Sequence, residues 1–513
     1  PVDRLSELFL PHYRAVQNMS EETGSEVQCG EAEIEELFKK GLKEHEEFSK
    51  EMCAWSECSL RGQALDFREL QEEDARVLRS MLSSGRPVRK LSMWETSLSA
   101  FKIAFEDLEG CSSLEELHMF DIDCDEQDFG VKLTGIFENL HSLELYCPNI
   151  RAAFARDIAA FLQDNKKLKD FTLGYSCGGD EGAAAIIEAL ETNDTLTRLT
   201  FADVKLSSET VIAFAKMLTA NTTLEVVDLF DSCLVEAEKV SALLEQDLYK
   251  DIFKRLRILW PEELLPILTG LIRRKACWHE LSVCVSASVD RGILQEFFDA
   301  VAEDTTVTLL HFYPNEDSTF DELADGIASV VKSTKTLQKI QNLMHVTRGN
   351  EQQLIDVLDA LKDNRSVTSF NMHSDALTPE LATSLSELLA VNDTLNEVLV
   401  CEYYDITGDI LATILEGLRQ NYTVTLLMVS WDPDDDIEGV PEMKELLKRN
   451  ARLHEKAADF VSAGGDPKKD AEGADALKKV RKSAKLVERV QGLTGKTSEA
   501  ALEMVQAALK TVL

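Results

Sequence analysis

Cysteine and histidine are the residues in this chain best suited to metal binding or nucleophilic chemistry, and their spacing supports neither. The eleven cysteines stand at 29, 53, 58, 111, 124, 147, 177, 233, 277, 284 and 401. None forms a CxxC pair, so no zinc ribbon or thioredoxin-like motif is offered. Several lie in or beside apolar strands, as Cys284 does in Leu281-Ser282-Val283-Cys284-Val285. Free buried thiols of this kind point to a reducing compartment, and a cytoplasmic location is expected. The nine histidines form no HExxH and no local ligand cluster. Gly492-Leu493-Thr494-Gly495-Lys496-Thr497 ends like a phosphate-binding loop. Val490 occupies the place of the first glycine, and a helical pattern precedes the motif where a strand is needed, so it reads as a turn between helices. No cofactor, metal or catalytic set is expected, and the chain is read as a non-enzyme.

Asn-x-Ser/Thr sequons begin at Asn18, Asn193, Asn221, Asn364, Asn392 and Asn421. In a secreted protein they would accept sugar. The last five recur at one phase of a longer pattern, and that pattern explains them without glycans.

The pattern is a repeat. Asn221-Thr222-Thr223-Leu224-Glu225-Val226-Val227-Asp228-Leu229 has counterparts at Asn193, Asn165, Asn364, Asn392 and Asn421. Taking Leu224 as position 0, apolar residues fall at 0, +3 and +5. The set begins with Val88/Leu91/Met93 and ends with Val424/Leu427/Val429, at intervals of 25 to 30 residues. One break occurs after Leu337/Ile340, where Asn342 stands in an apolar slot and the register is expected to slip. Alternation at +3 and +5 is strand periodicity. Between strands lies an amphipathic helix, such as Ser207–Leu218, with Val211, Phe214, Ala215 and Leu218 on one face. The recurring Asn is expected to end that helix in a left-handed conformation. Neither element can bury its apolar face alone, so stacking is required.

The expected fold is α/β: a curved solenoid of about 13–14 strand–helix repeats, with a parallel concave sheet and convex helices. Residues 1–59 read as a helical N-terminal cap, with patterns at Val2–Met19 and Glu31–Ser49; the second puts Ile34, Leu37, Phe38 and Leu42 on one face. Residues 60–450 form the solenoid. Residues 451–513 form a helical, relatively basic tail, with helices at about 471–491 and 498–512. The tail from 466 holds ten Lys/Arg and seven Asp/Glu, in a chain of net charge −38. Its stretch 478–489 is basic on one side, and docking against the rest of the chain is favoured over contact with an anionic surface. Such acidity excludes nucleic acid as a solenoid ligand. No apolar run reaches membrane-spanning length. The chain starts on Pro1, as a fragment or processed chain would.

Units of about 28 residues opening on Asn-x-Thr-Leu-x-x-Leu-x-Leu resemble leucine-rich repeats of the ribonuclease-inhibitor type. They are most similar to the arrays of NOD-like receptors and NLR-family-CARD-domain-like proteins. The likeness covers about 60–450 and implies a protein-binding scaffold, in an immune-sensing or regulatory setting. Two features depart from it: the family's Asn or Cys at +8 is mostly missing, and the sequence given holds no nucleotide-binding domain, unless one was lost with a truncated N-terminus. Ran GTPase-activating proteins share the repeat type, so a GTPase activator is an alternative; a secreted recognition protein is another. Trp260-Pro261-Glu262-Glu263-Leu264-Leu265-Pro266 loosely resembles the start of an F-box but sits in repeat register.

Polar positions flanking +3 and +5 should face a partner. The candidate surface holds the aromatics Trp94, Phe120, Tyr146, Tyr175 and Phe230, together with His118. Around them stand Glu95, Glu116, Asp121, Glu144, Asp170, Asp203, Asp228 and Asp231. Trp260, His311, Tyr313, His373 and Trp431 extend it. Aromatic anchors among acids suit a protein partner with a basic surface.

Overall fold

The structure is a computed structural model. It describes residues 34–41, 43–44, 64–84, 88–105, 113–121, 139–148, 150–229, 235–249, 251–286, 288–314, 323–346, 351–374, 377–400, 406–429 and 437–512.

Apolar residues at every other position make short strands with one buried face. The first eight are β1 (Ala64–Arg68), β2 (Lys90–Trp94), β3 (Glu116–Phe120), β4 (Ser142–Tyr146), β5 (Asp170–Gly174), β6 (Arg198–Ala202), β7 (Val226–Asp228) and β8 (Leu256–Arg257). The other seven are β9 (Leu259–Pro261), β10 (Glu280–Val285), β11 (Leu309–Pro314), β12 (Lys339–Val346), β13 (Ser369–Ser374), β14 (Glu397–Leu399) and β15 (Leu426–Met428). All pairings are parallel and join sequence neighbours, giving one sheet of eight strands and one of seven. Helices of 8 to 13 residues return the chain between most strands and pack on one another in the same order. Parallel strands lie about 4.8 Å apart whereas packed helices need about 8–10 Å, so the stack curves with the sheet inside. This is a leucine-rich-repeat-like solenoid.

The +3 and +5 residues meet the helices in one continuous core, in which Leu117, Met119, Phe171 and Phe201 are wholly buried. The helix at 34–41 covers its open end. Leu37 is buried, Ile34 and Phe38 pack against the core, and Lys40 Nζ lies 2.6 Å from Asp74. The expected helix at Val2–Met19 lies outside the described residues, as does Leu42.

The recurring Asn ends its helix, but not in the left-handed region. Asn221 has φ −76° and ψ 119°, and Asn165, Asn392 and Asn421 are similarly extended. The reason is the side chain. Asn221 Oδ1 accepts from the amides of Thr223 and Leu224, each at 2.9 Å. Its Nδ2 donates to Leu190 O at 2.7 Å and Asn193 O at 3.1 Å in the preceding repeat. Asn193, Asn364, Asn392 and Asn421 repeat the arrangement. At these five rungs a buried Asn thus ties the rung to the one before, and five of the sequon amides are consumed. Arg255 does the same work at a rung without Asn, donating to Leu224 O at 2.7 Å and Asn221 O at 2.8 Å.

The two sheets meet within one extended segment. Leu256–Arg257 pairs with β7, while Leu259–Pro261 pairs with β10. Arg257 bridges the junction, 2.9 Å from Asp228 and 3.1 Å from Glu280. Where the sequence predicts slippage, β12 loses register with β13 between Gln341 and His345.

The helix Val440–Ser462 runs through residue 450, first against the solenoid core at Met443, then into a second core with Ala457, Phe460 and Val461. The expected helix at 471–491 is two helices, Ala471–Val480 and Ala484–Thr494, followed by Ser498–Val512. The chain turns at Ser483 because its hydroxyl is held at 2.7 Å by both Asn396 Nδ2 and His454 Nε2. The basic side is engaged within the chain: Lys482 lies 2.6 Å from Asp393, Lys479 sits over the Tyr422 ring, and Arg489 lies 3.4 Å from Glu455. Gly495, at φ 64°, ends a helix, as a turn requires and a phosphate loop does not.

Candidate functional site

The outward side chains of β2–β6 lie in rows across the first sheet. One row runs Trp94, Phe120, Tyr146, Gly174 and Ala202, in register from strand to strand. Strand spacing brings successive rings into contact. Trp94 and Phe120 stack at 3.9 Å with 12° between planes, and Phe120 and Tyr146 stack at 5.0 Å and 20°. The third ring lies over Gly174, where an added Cβ would come 2.1 Å from Tyr146 Cδ1. Tyr175 then meets Tyr146 edge-on at 5.5 Å and is 43% exposed. Four of the candidate aromatics therefore form one continuous strip, each pair worth roughly 0.5–1.5 kcal/mol beyond simple burial.

The candidate acids divide into two sets. Those on the strands mostly have partners one rung away: Glu116 lies 3.7 Å from Lys90, Asp170 lies 3.3 Å from Arg198, and Asp228 is held by Arg257. Asp228 is also nearly buried, so it serves the sheet junction and is not a free surface group. His118 sits between Glu116 and Glu144, with Nδ1 3.5 Å from the latter. Burial, reinforced by Lys90, pushes its pKa down to about 3. The ring is thus neutral at pH 7, and the approach to Glu144 is a polar contact, not an ion pair. Glu144 is itself pushed upward, first by burial and then by Asp170 and Glu116.

The second set stands one residue past β1, β2, β3, β5 and β6; past β4 the position is the buried Cys147. Glu69, Glu95, Asp121, Tyr175 and Asp203 all have positive φ, from 49° to 67°. Each of Glu69, Glu95, Asp121 and Tyr175 donates its amide to the last strand residue of the next rung, at 2.8–3.0 Å. Left-handed backbone is unusual for such residues, and for a tyrosine it is strained. The turn lifts these side chains onto a rim beside the aromatic strip. Glu95, Asp121, Tyr175 and Asp203 are exposed there. Among the described residues, no cation pairs with Glu95, Asp121 or Asp203. Burial raises the Asp121 pKa, and Tyr175 is raised by burial and then by Asp121 and Asp203.

Phe230, Asp231, Trp431 and the His373 side chain lie outside what the structure describes. Trp260 is not on the surface: it is 3% exposed and packs 5.3 Å from Phe253, because Leu256, Ile258 and Trp260 all point inward. His311 is buried beside Tyr313, at 4.2 Å. Spacing along one repeat does not reveal which acids are paired; aligning Lys90, Glu116, Asp170 and Arg198 at +2 would have shown it. Among the described residues, no cluster of His, Cys, Asp and Glu could hold a metal, and no helix is long and apolar enough to cross a membrane.

No protein-family model matches the chain, and no curated protein matches it in sequence. Among solved structures, it is similar to leiomodin-1 actin-binding site 2, at 18% identity and TM-score 0.21, covering 34% of this chain and 83% of that one. It is also similar to TLR13 in its complex with ssRNA13, at 11% identity and TM-score 0.33, covering 74% of this chain and 55% of that one.

Proposed function

We propose that this protein is a non-enzymatic interaction scaffold that docks a protein partner along the sheet face of its first six rungs. The partner presents apolar side chains to the ring edges of Trp94, Phe120 and Tyr146, and basic ones to the rim. The observation that carries this reading is the pairing of a continuous aromatic strip with rim carboxylates that lack cations among the described residues. Aromatic anchors supply contact area at low entropic cost, and unpaired acids steer a basic surface toward them.

In this reading the array is of the ribonuclease-inhibitor type, resembling that of NOD-like receptors through its Asn-x-Thr-Leu-x-x-Leu-x-Leu units, and its role is regulatory or immune-sensing. A reducing, cytoplasmic setting accords with the thiols of Cys177 and Cys277, which burial pushes up to about 12 and leaves unreactive. In this reading residues 1–59 cap one end of the array, 60–450 form the array, and 451–513 cap the other.

The test is binding of fluorescent amphipathic peptides bearing Lys and Arg to the full chain and to a Trp94→Ala/Phe120→Ala/Tyr146→Ala variant. Loss of binding with unchanged circular dichroism supports the site. Equal binding by both proteins rejects it.

A further inference from the structure

One of the left-handed rim positions is not a carboxylate. Glu69, Glu95, Asp121 and Asp203 occupy the turn after β1, β2, β3 and β6, and Tyr175 occupies it after β5 at φ 67°, while the position after β4 is the buried Cys147. The ring is 43% exposed, and the Tyr146 ring meets it edge-to-face at 67°. A contact of this geometry covers at most one face of the Tyr175 ring. The Tyr175 amide is bonded to Ala202 O at 2.8 Å, which sets Asp203 on the next rung beside it, and the Asp121 amide is bonded at 2.8 Å to Tyr146 O, the residue whose ring meets Tyr175. A phenol kept neutral between two carboxylates, with no cation paired to either among the described residues, is electrostatically suited to a positive charge.

We infer that Tyr175, with Asp121 and Asp203, is a subsite for an arginine side chain of the partner. The guanidinium lies flat on the tyrosine ring while its edge N–H groups donate to the two carboxylates. Several arguments select arginine over lysine. A planar, weakly hydrated guanidinium stacks on an aromatic face and serves two acceptors lying on different sides, whereas an ammonium is a strongly hydrated point charge. Tyr175, at the end of the strip and 43% exposed, keeps a ring face for this, whereas both faces of Phe120 are already covered. The strained backbone is consistent with a position held for contact and not for packing. The inference rests on the docking reading and adds to it the identity of one side chain.

The experiment measures binding of three matched peptides to the full chain by fluorescence anisotropy at one low salt concentration. They share an apolar–basic sequence and differ at one residue: Arg, Lys or citrulline. The expected order is Arg tightest, Lys about five-fold weaker and citrulline weaker still, as a cation–π contact of roughly 1 kcal/mol implies. Tyr175→Ala should remove the Arg-over-Lys preference, Tyr175→Phe should keep it, and Asp121→Asn/Asp203→Asn should weaken both cationic peptides. Circular dichroism controls for folding. Binding of Arg and Lys peptides with equal affinity, or an Arg preference that survives Tyr175→Ala, overturns the arginine subsite while leaving the docking surface standing. Absence of binding by any of the peptides overturns the docking surface and the subsite with it.

Discussion

Gly174→Ala sets two physical effects of opposite sign against each other. Gly174 lies in β5, outside the left-handed region, so alanine meets no backbone penalty there. By conformational entropy alone the change should stabilise the strand by about 0.5–1 kcal/mol. The added Cβ, however, would stand 2.1, 2.5 and 2.9 Å from three carbons of the Tyr146 ring. Ordinary carbon contacts are about 3.5–4.0 Å, so the ring has to move by more than an ångström. Phe120 blocks the opposite side at 5.0 Å, and Phe120 is itself stacked on Trp94 at 3.9 Å. Overpacking of this kind costs about 1–3 kcal/mol, which exceeds the entropic gain. The variant should therefore be less stable by roughly 0.5–2 kcal/mol. Urea unfolding monitored at several wavelengths provides the measurement, with near-ultraviolet circular dichroism reporting the ring stack. The double variant Gly174→Ala/Tyr146→Ala should be more stable than Tyr146→Ala alone, because only the entropic effect remains. A Gly174→Ala protein as stable as the parent, with an unchanged near-ultraviolet spectrum, refutes the reasoning.

Three further outcomes are expected. Asn221→Ala removes a side chain that bonds two amides and two carbonyls, and should cost about 3 kcal/mol in unfolding, with faster hydrogen exchange at Thr223 and Leu224. Arg257→Met leaves the Asp228 carboxylate nearly buried without its guanidinium, and should cost about 3 kcal/mol; adding Asp228→Asn should recover most of it. His454 is fully buried, and burial lowers its pKa from 6.5 to about 4. The unfolded chain therefore binds the extra proton first as pH falls. Stability is complete above pH 6.5 and declines toward pH 4, by up to about 3 kcal/mol from this residue. Exchange protection in the helix Ala484–Thr494 should fall over that range, and a pH-independent tail would contradict the assignment.

The repeat was legible because apolar residues at 0, +3 and +5 point toward the helices whatever lies outside. The aromatic strip was legible for the same reason, since Trp94, Phe120 and Tyr146 occupy one outward slot. What stayed hidden depends on the neighbouring rung. Asparagine's general preference for left-handed helix ends gave the wrong conformation at Asn221, because the buried amide finds its acceptors 28 and 31 residues earlier. The rim turns at Glu95, Asp121 and Tyr175 carry no glycine to announce them; their geometry follows from the amide bonded to the next strand's last carbonyl. Asp228 looked like a partner-facing acid until Arg257, from the following repeat, was seen to claim it. Trp260 was misplaced because β8 and β9 continue inward alternation beyond the usual strand end.

The central claim is that the first sheet's aromatic strip and acid rim form one docking surface. It is tested most directly by the affinity of a single Arg- and Lys-bearing amphipathic peptide for the full chain and for Trp94→Ala/Phe120→Ala/Tyr146→Ala. A drop of at least 30-fold, about 2 kcal/mol, is the expected result for loss of three aromatic anchors. An affinity unchanged within two-fold, in a variant that keeps its circular dichroism, would contradict it.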